Sequence, residues 1–121
     1  MAIITEDYVS FETAKLLRKK GFDYNAEYES YYTFGGIVVY FKDRPQDPNI
    51  APRVTLQMTL KWLREKHNLY IVIEPTDYFS YYWIIYFTNK SRTLRCNDGE
   101  SFITPEQACN DAIKYCLENL I

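Results

Sequence analysis

The stretch Tyr81 to Phe87, Tyr-Tyr-Trp-Ile-Ile-Tyr-Phe, constrains this chain more than any other. Large apolar and aromatic residues follow one another without a polar break. An extended segment built this way is apolar on both faces, which is the pattern of a central β-strand. It is far shorter than the ~20 residues a helix needs to cross a bilayer. No other apolar run is longer, so no membrane association is expected.

The neighbouring segments fit a sheet around it. Leu69 to Glu74 alternates apolar and polar residues. Arg92 to Asn97 is short and polar, as an edge strand should be. Asn97-Asp98-Gly99 is a turn signal. Further upstream, Tyr28 to Phe41 reads as a hairpin around Gly35-Gly36, a pair able to supply the two positive-φ positions of a tight primed turn. That turn sets Phe34 opposite Ile37 and Tyr32 opposite Val39. Tyr32, Phe34, Ile37, Val39 and Phe41 then share one face, and Tyr31, Thr33, Val38 and Tyr40 share the other. The segment from Lys42 to Pro52 reads as a loop, because Pro45, Pro48 and Pro52 bar regular pairing.

Three helices are punctuated by local chemistry. The first follows Ser10 as N-cap, with Glu12 in its first turn and Arg18, Lys19 and Lys20 in its last. Gly21 ends it in a Schellman stop, with Phe22 folding back onto Leu17. The second runs from about Thr55 to His67, with Leu56, Thr59, Leu60 and Leu63 at helical spacing and Asn68 as its stop. The third opens at Thr104-Pro105-Glu106-Gln107, a capping box with proline at the first helical position. Its apolar face is Ala108, Cys109, Ala112, Ile113, Cys116, Leu117 and Leu120.

The expected order is α-β-β-α-β-β-β-α. Each connection between strands is short enough for antiparallel pairing. Layer logic therefore predicts an α+β fold: one domain over residues 1–121, with a single antiparallel sheet of about five strands and the three helices mainly on one face. At 121 residues such a domain buries a real core without disulfides or metal.

Charge narrows the partners. Lys and Arg total 14, Asp and Glu total 16, and the net charge is −2. Nucleic-acid binding normally rests on a basic excess that neutralises phosphates, so composition disfavours it. The N-terminal residues have no signal-peptide character, and a cytoplasmic protein is expected. Cysteines number three. Cys109 and Cys116 lie seven apart on one helix, about 10 Å along its axis, too far to bridge each other. Reduced, mostly buried thiols are the expectation.

Three stretches carry a resemblance. They are Tyr8 to Leu17 with Lys20-Gly21-Phe22, then Trp62-Leu63-Arg64-Glu65 with His67, and finally Glu106-Gln107-Ala108 with Ala112 to Leu120. Together they resemble a family of short, uncharacterised proteins found in gut-bacterial genomes and prophages. The resemblance implies a phage or mobile-element setting and a single-domain fold. It brings no activity and no site residues.

Candidate chemistry is sparse. His67 is the only histidine, and no C-x-x-C or H-x-x-x-H spacing accompanies it. The alternative to a site is a histidine at a helix C-terminus, favoured by the dipole. Glu74, Asp77, Asp98 and Glu100 lie near strand ends, where carboxylates can act in pairs but are also common turn residues. Asp43, Asp47 and Asn49 do not fit a calcium loop. No cofactor or metal is implied, and enzyme activity is not expected.

Tyrosine remains. Of 12 tyrosines, all but Tyr8, Tyr70 and Tyr115 fall between Tyr24 and Tyr40 or between Tyr78 and Tyr86. Tyrosine offers rigid contact area with a polar tip and is enriched at interfaces. It also fills sheet cores and pairs across strands. The preferred reading is a small non-enzymatic protein–protein interaction domain, with a protein partner or self-association, using Tyr31, Tyr40, Tyr81, Tyr82 and Trp83 on a sheet surface. One alternative is single-stranded nucleic-acid binding by stacking on Tyr or Trp83, with Arg92 and Arg95 on phosphates. Another is an enzyme using His67 or the strand-end carboxylates.

Overall fold

The computed structural model describes residues 7–22, 30–33, 35–40, 50–96 and 100–121. The chain divides into two compact units, Met1–Thr55 and Leu56–Ile121. Both are α+β with antiparallel strands.

In the first unit, helix α1 spans Phe11–Lys19. Ser10 Oγ accepts from the Thr13 amide at 3.2 Å, satisfying a donor that the helix itself leaves open. At the other end Gly21 takes φ +84°, the Phe22 amide donates to the Leu17 carbonyl, and the Gly21 amide to the Arg18 carbonyl. This is the Schellman pattern expected from Gly21-Phe22. Thr13, Ala14 and Leu17 are buried and pack toward strand β3 (Ala51–Arg53).

Strand β1 (Ser30–Tyr32) lies between β2 (Val38–Tyr40) and β3. Two expectations change here. The register is Tyr32 opposite Val38 and Tyr31 opposite Val39, not Tyr32 opposite Val39. The Thr33 amide donates to the Ile37 carbonyl and the Gly36 amide to the Thr33 carbonyl, so three residues close the hairpin. Only Gly36 of the pair has positive φ, at +79°. This is the three-residue loop in which a left-handed residue follows a turn. A shift of one residue exchanges the faces of β2 against β1. Ser30, Tyr32, Val38 and Tyr40 therefore share a face, and Tyr31 and Val39 share the other. The predicted contact of Phe34 and the roles of Tyr24, Tyr28 and Phe41 fall outside the described residues, as does the Asn97-Asp98-Gly99 turn.

The second change concerns Pro52. It sits within β3, opposite Tyr31. Among the described residues β3 lies at the edge of its sheet, where a residue without an N–H can face away from the ladder. The prolines therefore do not bar pairing at Ala51–Arg53.

In the second unit, helix α2 (Leu56–His67) buries Leu56, Thr59 and Leu63. Asn68 stops it at φ +58°, the left-handed position expected after a helix. Strands β4 (Leu69–Pro75), β5 (Tyr81–Phe87) and β6 (Arg92–Arg95) follow, with β5 in the centre. Helix α3 (Pro105–Tyr115) packs on β4 and β5, and α2 packs on β4. Thr104 Oγ1 accepts from the Gln107 amide at 3.1 Å, which is the N-cap read from sequence. The chain then widens into a π-helical turn, Cys116–Leu120. Ala108, Cys109, Ala112, Ile113, Cys116 and Leu117 are buried with Trp83, Ile84 and Ile85.

Among the described residues the strands thus form two three-stranded sheets, not one sheet of about five. The sixth strand is β3, formed where the sequence reads as a proline-bearing loop. The α+β class, the antiparallel pairing and the central place of Tyr81–Phe87 agree with expectation.

Candidate functional site

Register sorts the β4–β5–β6 side chains into two faces. Leu69, Ile71 and Ile73 pair with Phe87, Ile85 and Trp83. This face carries Trp83, whose indole Nε1 donates to Asp111 Oδ2 of α3 at 2.9 Å. Tyr70, Val72 and Glu74 pair with Tyr86, Ile84 and Tyr82 on the other face, joined by Thr93 and Arg95 of β6. Tyr70 and Tyr86 are exposed and directly opposed, while Ile84 is buried. The Arg64 guanidinium lies 5.8 Å from the Tyr70 ring centroid. The outward face is therefore aromatic, with cations at its margin.

The β4–β5 hairpin is closed by the Thr76 amide donating to the Ser80 carbonyl at 2.8 Å. The two hydroxyls, Thr76 Oγ1 and Ser80 Oγ, share a hydrogen bond at 2.7 Å. The Tyr78 amide donates to Thr76 Oγ1 at 3.1 Å, fixing the turn from inside. The last loop residue, Phe79, has φ +58°. Glycine or asparagine normally takes this left-handed position, and a bulky side chain there is strained. The Phe79 ring is 98% exposed and that of its neighbour Tyr78 is 86% exposed. Burial within the chain thus offers almost no return on the strain.

Two clefts adjoin this hairpin. One, of about 560 Å³, is bordered by Thr76, Asp77, Tyr78, Ser80 and Tyr82 on one side and by Arg95, Cys96, Glu100 and Ser101 on the other. The second, of about 440 Å³, shares that wall and reaches Trp83, Phe102, Asp111, Lys114, Tyr115 and Glu118. Tyr81 holds Phe102 through a reciprocal pair of backbone hydrogen bonds, both 2.8 Å. Of the strand-end carboxylates, Asp77 and Glu100 border the same cleft, Glu74 is absent from both linings, and Asp98 is outside the described residues.

The first unit has a separate aromatic arrangement. Tyr40, Ser30 and Arg53 lie side by side across β2, β1 and β3. Arg53 Nη1 donates to Ser30 Oγ at 3.0 Å and to Tyr40 Oη at 3.3 Å. Its guanidinium lies 3.7 Å from the Tyr8 ring centroid. A cation at this range is attracted by the quadrupole of the ring. Tyr40 is exposed nonetheless, while Tyr32 turns inward, its hydroxyl donating to the Val9 carbonyl at 2.6 Å.

The residues singled out from sequence scatter among these places. Tyr40 is exposed, and Tyr31, Tyr81 and Tyr82 are half-buried. Trp83 is 2% exposed and offers no ring face to a partner or base. Tyr78 and Phe79 are the most exposed aromatic rings among the described residues, and nothing in the sequence pattern separates them from their neighbours. No sequence signal marks Asp111, which the hydrogen bond from Trp83 alone brings to notice. His67 is half-buried, stacks edge-on against Trp62 at 4.6 Å, and borders neither cleft. Burial lowers its pKa from the ordinary value. Among the described residues no cluster of His, Cys, Asp and Glu has the makings of a metal site. Cys109 and Cys116 are buried free thiols, pushed up to about 12 by burial first, then by Glu106 for Cys109 and by Cys109 for Cys116. No helix among the described residues is long and apolar enough to cross a membrane.

Fold and surface together define an α+β protein whose most conspicuous exposed groups are aromatic rings at a strand turn. No family model matches the chain, and neither a curated protein nor a solved structure matches it.

Proposed function

We propose that this chain is a non-enzymatic protein-interaction module that engages a partner through the β4–β5 hairpin tip. Tyr78 and Phe79 are the anchors, and the cleft beside Tyr82 and Arg95 receives the partner's polar groups. The observation that carries this reading is Phe79, a strained residue whose ring is left almost wholly in water. Strain of this kind costs about 1–3 kcal/mol and is characteristic of binding sites. Exposed aromatic side chains beside a recess are the usual anchors of protein interfaces. The resemblance to prophage proteins directs the partner search to phage, mobile-element and host cytoplasmic proteins.

The test compares capture of partners by the tagged chain and by Phe79→Gly and Tyr78→Ser variants in a lysate of the source organism. A protein retained by the native chain and lost with both variants supports the reading. Equal retention by all three overturns it.

A second reading rests on Arg95, which shares the outward face with Tyr82 and Tyr86. Stacked bases on tyrosine with an arginine beside them make a single-strand binding surface. Fluorescence titration with single-stranded DNA and RNA at about 50 mM salt, where phosphate contacts are strong, tests it. No binding there removes it.

A further inference from the structure

The outer edge of β4 carries information that the aromatic tip does not. Among the described residues, no strand pairs with it. The ladder toward β5 is fixed by two bonds at its ends, from the Thr88 amide to the Asn68 carbonyl and from the Thr76 amide to the Ser80 carbonyl. Hydrogen-bonded pairs recur every second residue in an antiparallel ladder, so Tyr70, Val72 and Glu74 point their backbone groups at β5. The amides and carbonyls of Ile71 and Ile73 consequently point outward, along the free edge.

Edges usually carry their own protection, in the form of shortness, charge, proline or a bulge. The opposite edge follows that rule, since β6 has only four residues and begins and ends with arginine. β4 does not. It runs for seven residues, its proline stands last, and its only charge is Glu74. That carboxylate is half-buried and has no ion pair among the described residues.

We propose that β4 pairs antiparallel with β4 of a second copy of this chain, about a two-fold axis at Val72. This register sets Ile71 opposite Ile73 of the second copy in hydrogen-bonded pairs and uses the outward groups of both. Roughly six backbone hydrogen bonds form, with Leu69 and Pro75 at the ends contributing only the bonds that need no proline amide. Tyr70 then faces Glu74 of the second copy in a close, non-hydrogen-bonded pair. Arg64, already over the Tyr70 ring, meets that carboxylate. Symmetry repeats the contact, so Glu74 of each copy gains a cation. Charge complementarity thus selects a second copy as the occupant and Val72 as the centre. Centring on Ile71 or Ile73 instead keeps backbone bonds but leaves Glu74 without Arg64. The result joins two sheets into one of six strands and extends the outward tyrosine face across the axis.

Sedimentation equilibrium on the full chain, up to millimolar protein, tests this. The native chain is expected to dimerise. Glu74→Arg and Arg64→Glu each bring like charges together twice and weaken the dimer by about two- to thirtyfold, the range for two exposed ion pairs. The double variant reverses both charges and restores affinity. With oxidised glutathione added as the two-electron oxidant, Val72→Cys in a Cys96→Ser background is expected to form a disulfide-linked dimer across the axis, the glutathione leaving as its reduced thiol. Circular dichroism verifies that each variant keeps the native fold. A monomer at every concentration overturns the proposal, as does a dimer indifferent to the charge reversals. Phe79→Gly and Tyr78→Ser leave this dimer unchanged, so loss of partner capture and loss of self-association are separate results.

Discussion

Trp83 on β5 and Asp111 on α3 meet through one hydrogen bond, 2.9 Å from indole Nε1 to carboxylate Oδ2. The indole is buried and the carboxylate borders the cleft beneath it. The Tyr115 ring, 5.2 Å from that of Trp83, closes the other side. This pair ties the central strand to the last helix at the wall of the candidate site.

Removing the acceptor leaves a buried N–H without a partner. A hydrogen bond to a charged group contributes about 1.5–3 kcal/mol, so Asp111→Leu is expected to destabilise the fold by that amount. Asp111→Asn keeps an oxygen in reach and is expected to cost less than half as much. Urea unfolding followed by tryptophan fluorescence measures both. Equal stability of Asp111→Leu and the native chain shows that the bond contributes nothing net.

Phe79→Gly separates stability from binding. The left-handed conformation costs a non-glycine residue about 1–2 kcal/mol, and glycine relieves it while raising chain entropy in the unfolded state. The variant is expected to be as stable as the native chain or up to about 1 kcal/mol more stable. It loses the exposed ring and, with it, partner capture. Thermal unfolding of Phe79→Gly and Phe79→Asn checks the strain. A drop in melting temperature for both removes the argument that this ring is held at a cost.

The parts legible in the sequence are those settled within a few residues. Ser10, Gly21, Asn68 and Thr104 terminate helices through groups one turn away, and all four act where the residue types predict. Tyr81–Phe87 is central because its own two faces are apolar. The misread parts depend on partners far along the chain or on one dihedral angle. Gly35 and Gly36 look equivalent, but only Gly36 takes positive φ, and this moves the register by one. Pro52 reads as a breaker until its strand is known to lie at an edge. Division of the strands into two sheets follows from pairings that no local pattern records. The candidate site was partly visible, as an aromatic segment including Tyr78 and Phe79. Phenylalanine disfavours a left-handed turn, so the feature that distinguishes Phe79 runs against its own propensity.

Gly36 carries two constraints at once. Its φ of +79° disfavours any side chain, and a Cβ there would stand 3.1 Å from Cδ2 of Phe11. Phe11 stacks against Tyr32 at 5.5 Å, so the ring has limited room to yield. Gly36→Ala is expected to cost more than the backbone penalty alone, which is about 1–2 kcal/mol. Gly35 has neither constraint, since its φ is not positive and a Cβ there meets nothing within 4 Å. Gly35→Ala is expected to be neutral or slightly stabilising. Melting temperatures of the two variants test the three-residue hairpin against a symmetrical Gly-Gly turn, which predicts losses at both positions.

The thiols provide a test of the second unit's core. Burial holds Cys109 and Cys116 at pKa values of about 12, raised from the ordinary 9.0, whereas Cys96 is only half-buried. The thiolate is the reactive form, so at pH 8 a thiol reagent is expected to modify Cys96 alone in the folded chain and all three cysteines in denaturant. The same shifts give a direction for pH. A thiol with a raised folded value keeps its proton in the core while the unfolded chain releases it. The stabilisation from these two groups is therefore complete below pH 9.0 and is lost as pH rises from there toward about 12. Cys109→Ala and Cys116→Ala each open a small void and lower stability near neutrality, but each variant should lose less stability between pH 8 and pH 11 than the native chain. Denaturant unfolding across that range, with Cys96→Ser as the control, measures the difference. A Cys96→Ser variant that flattens the alkaline loss as much as the buried pair does would overturn the assignment.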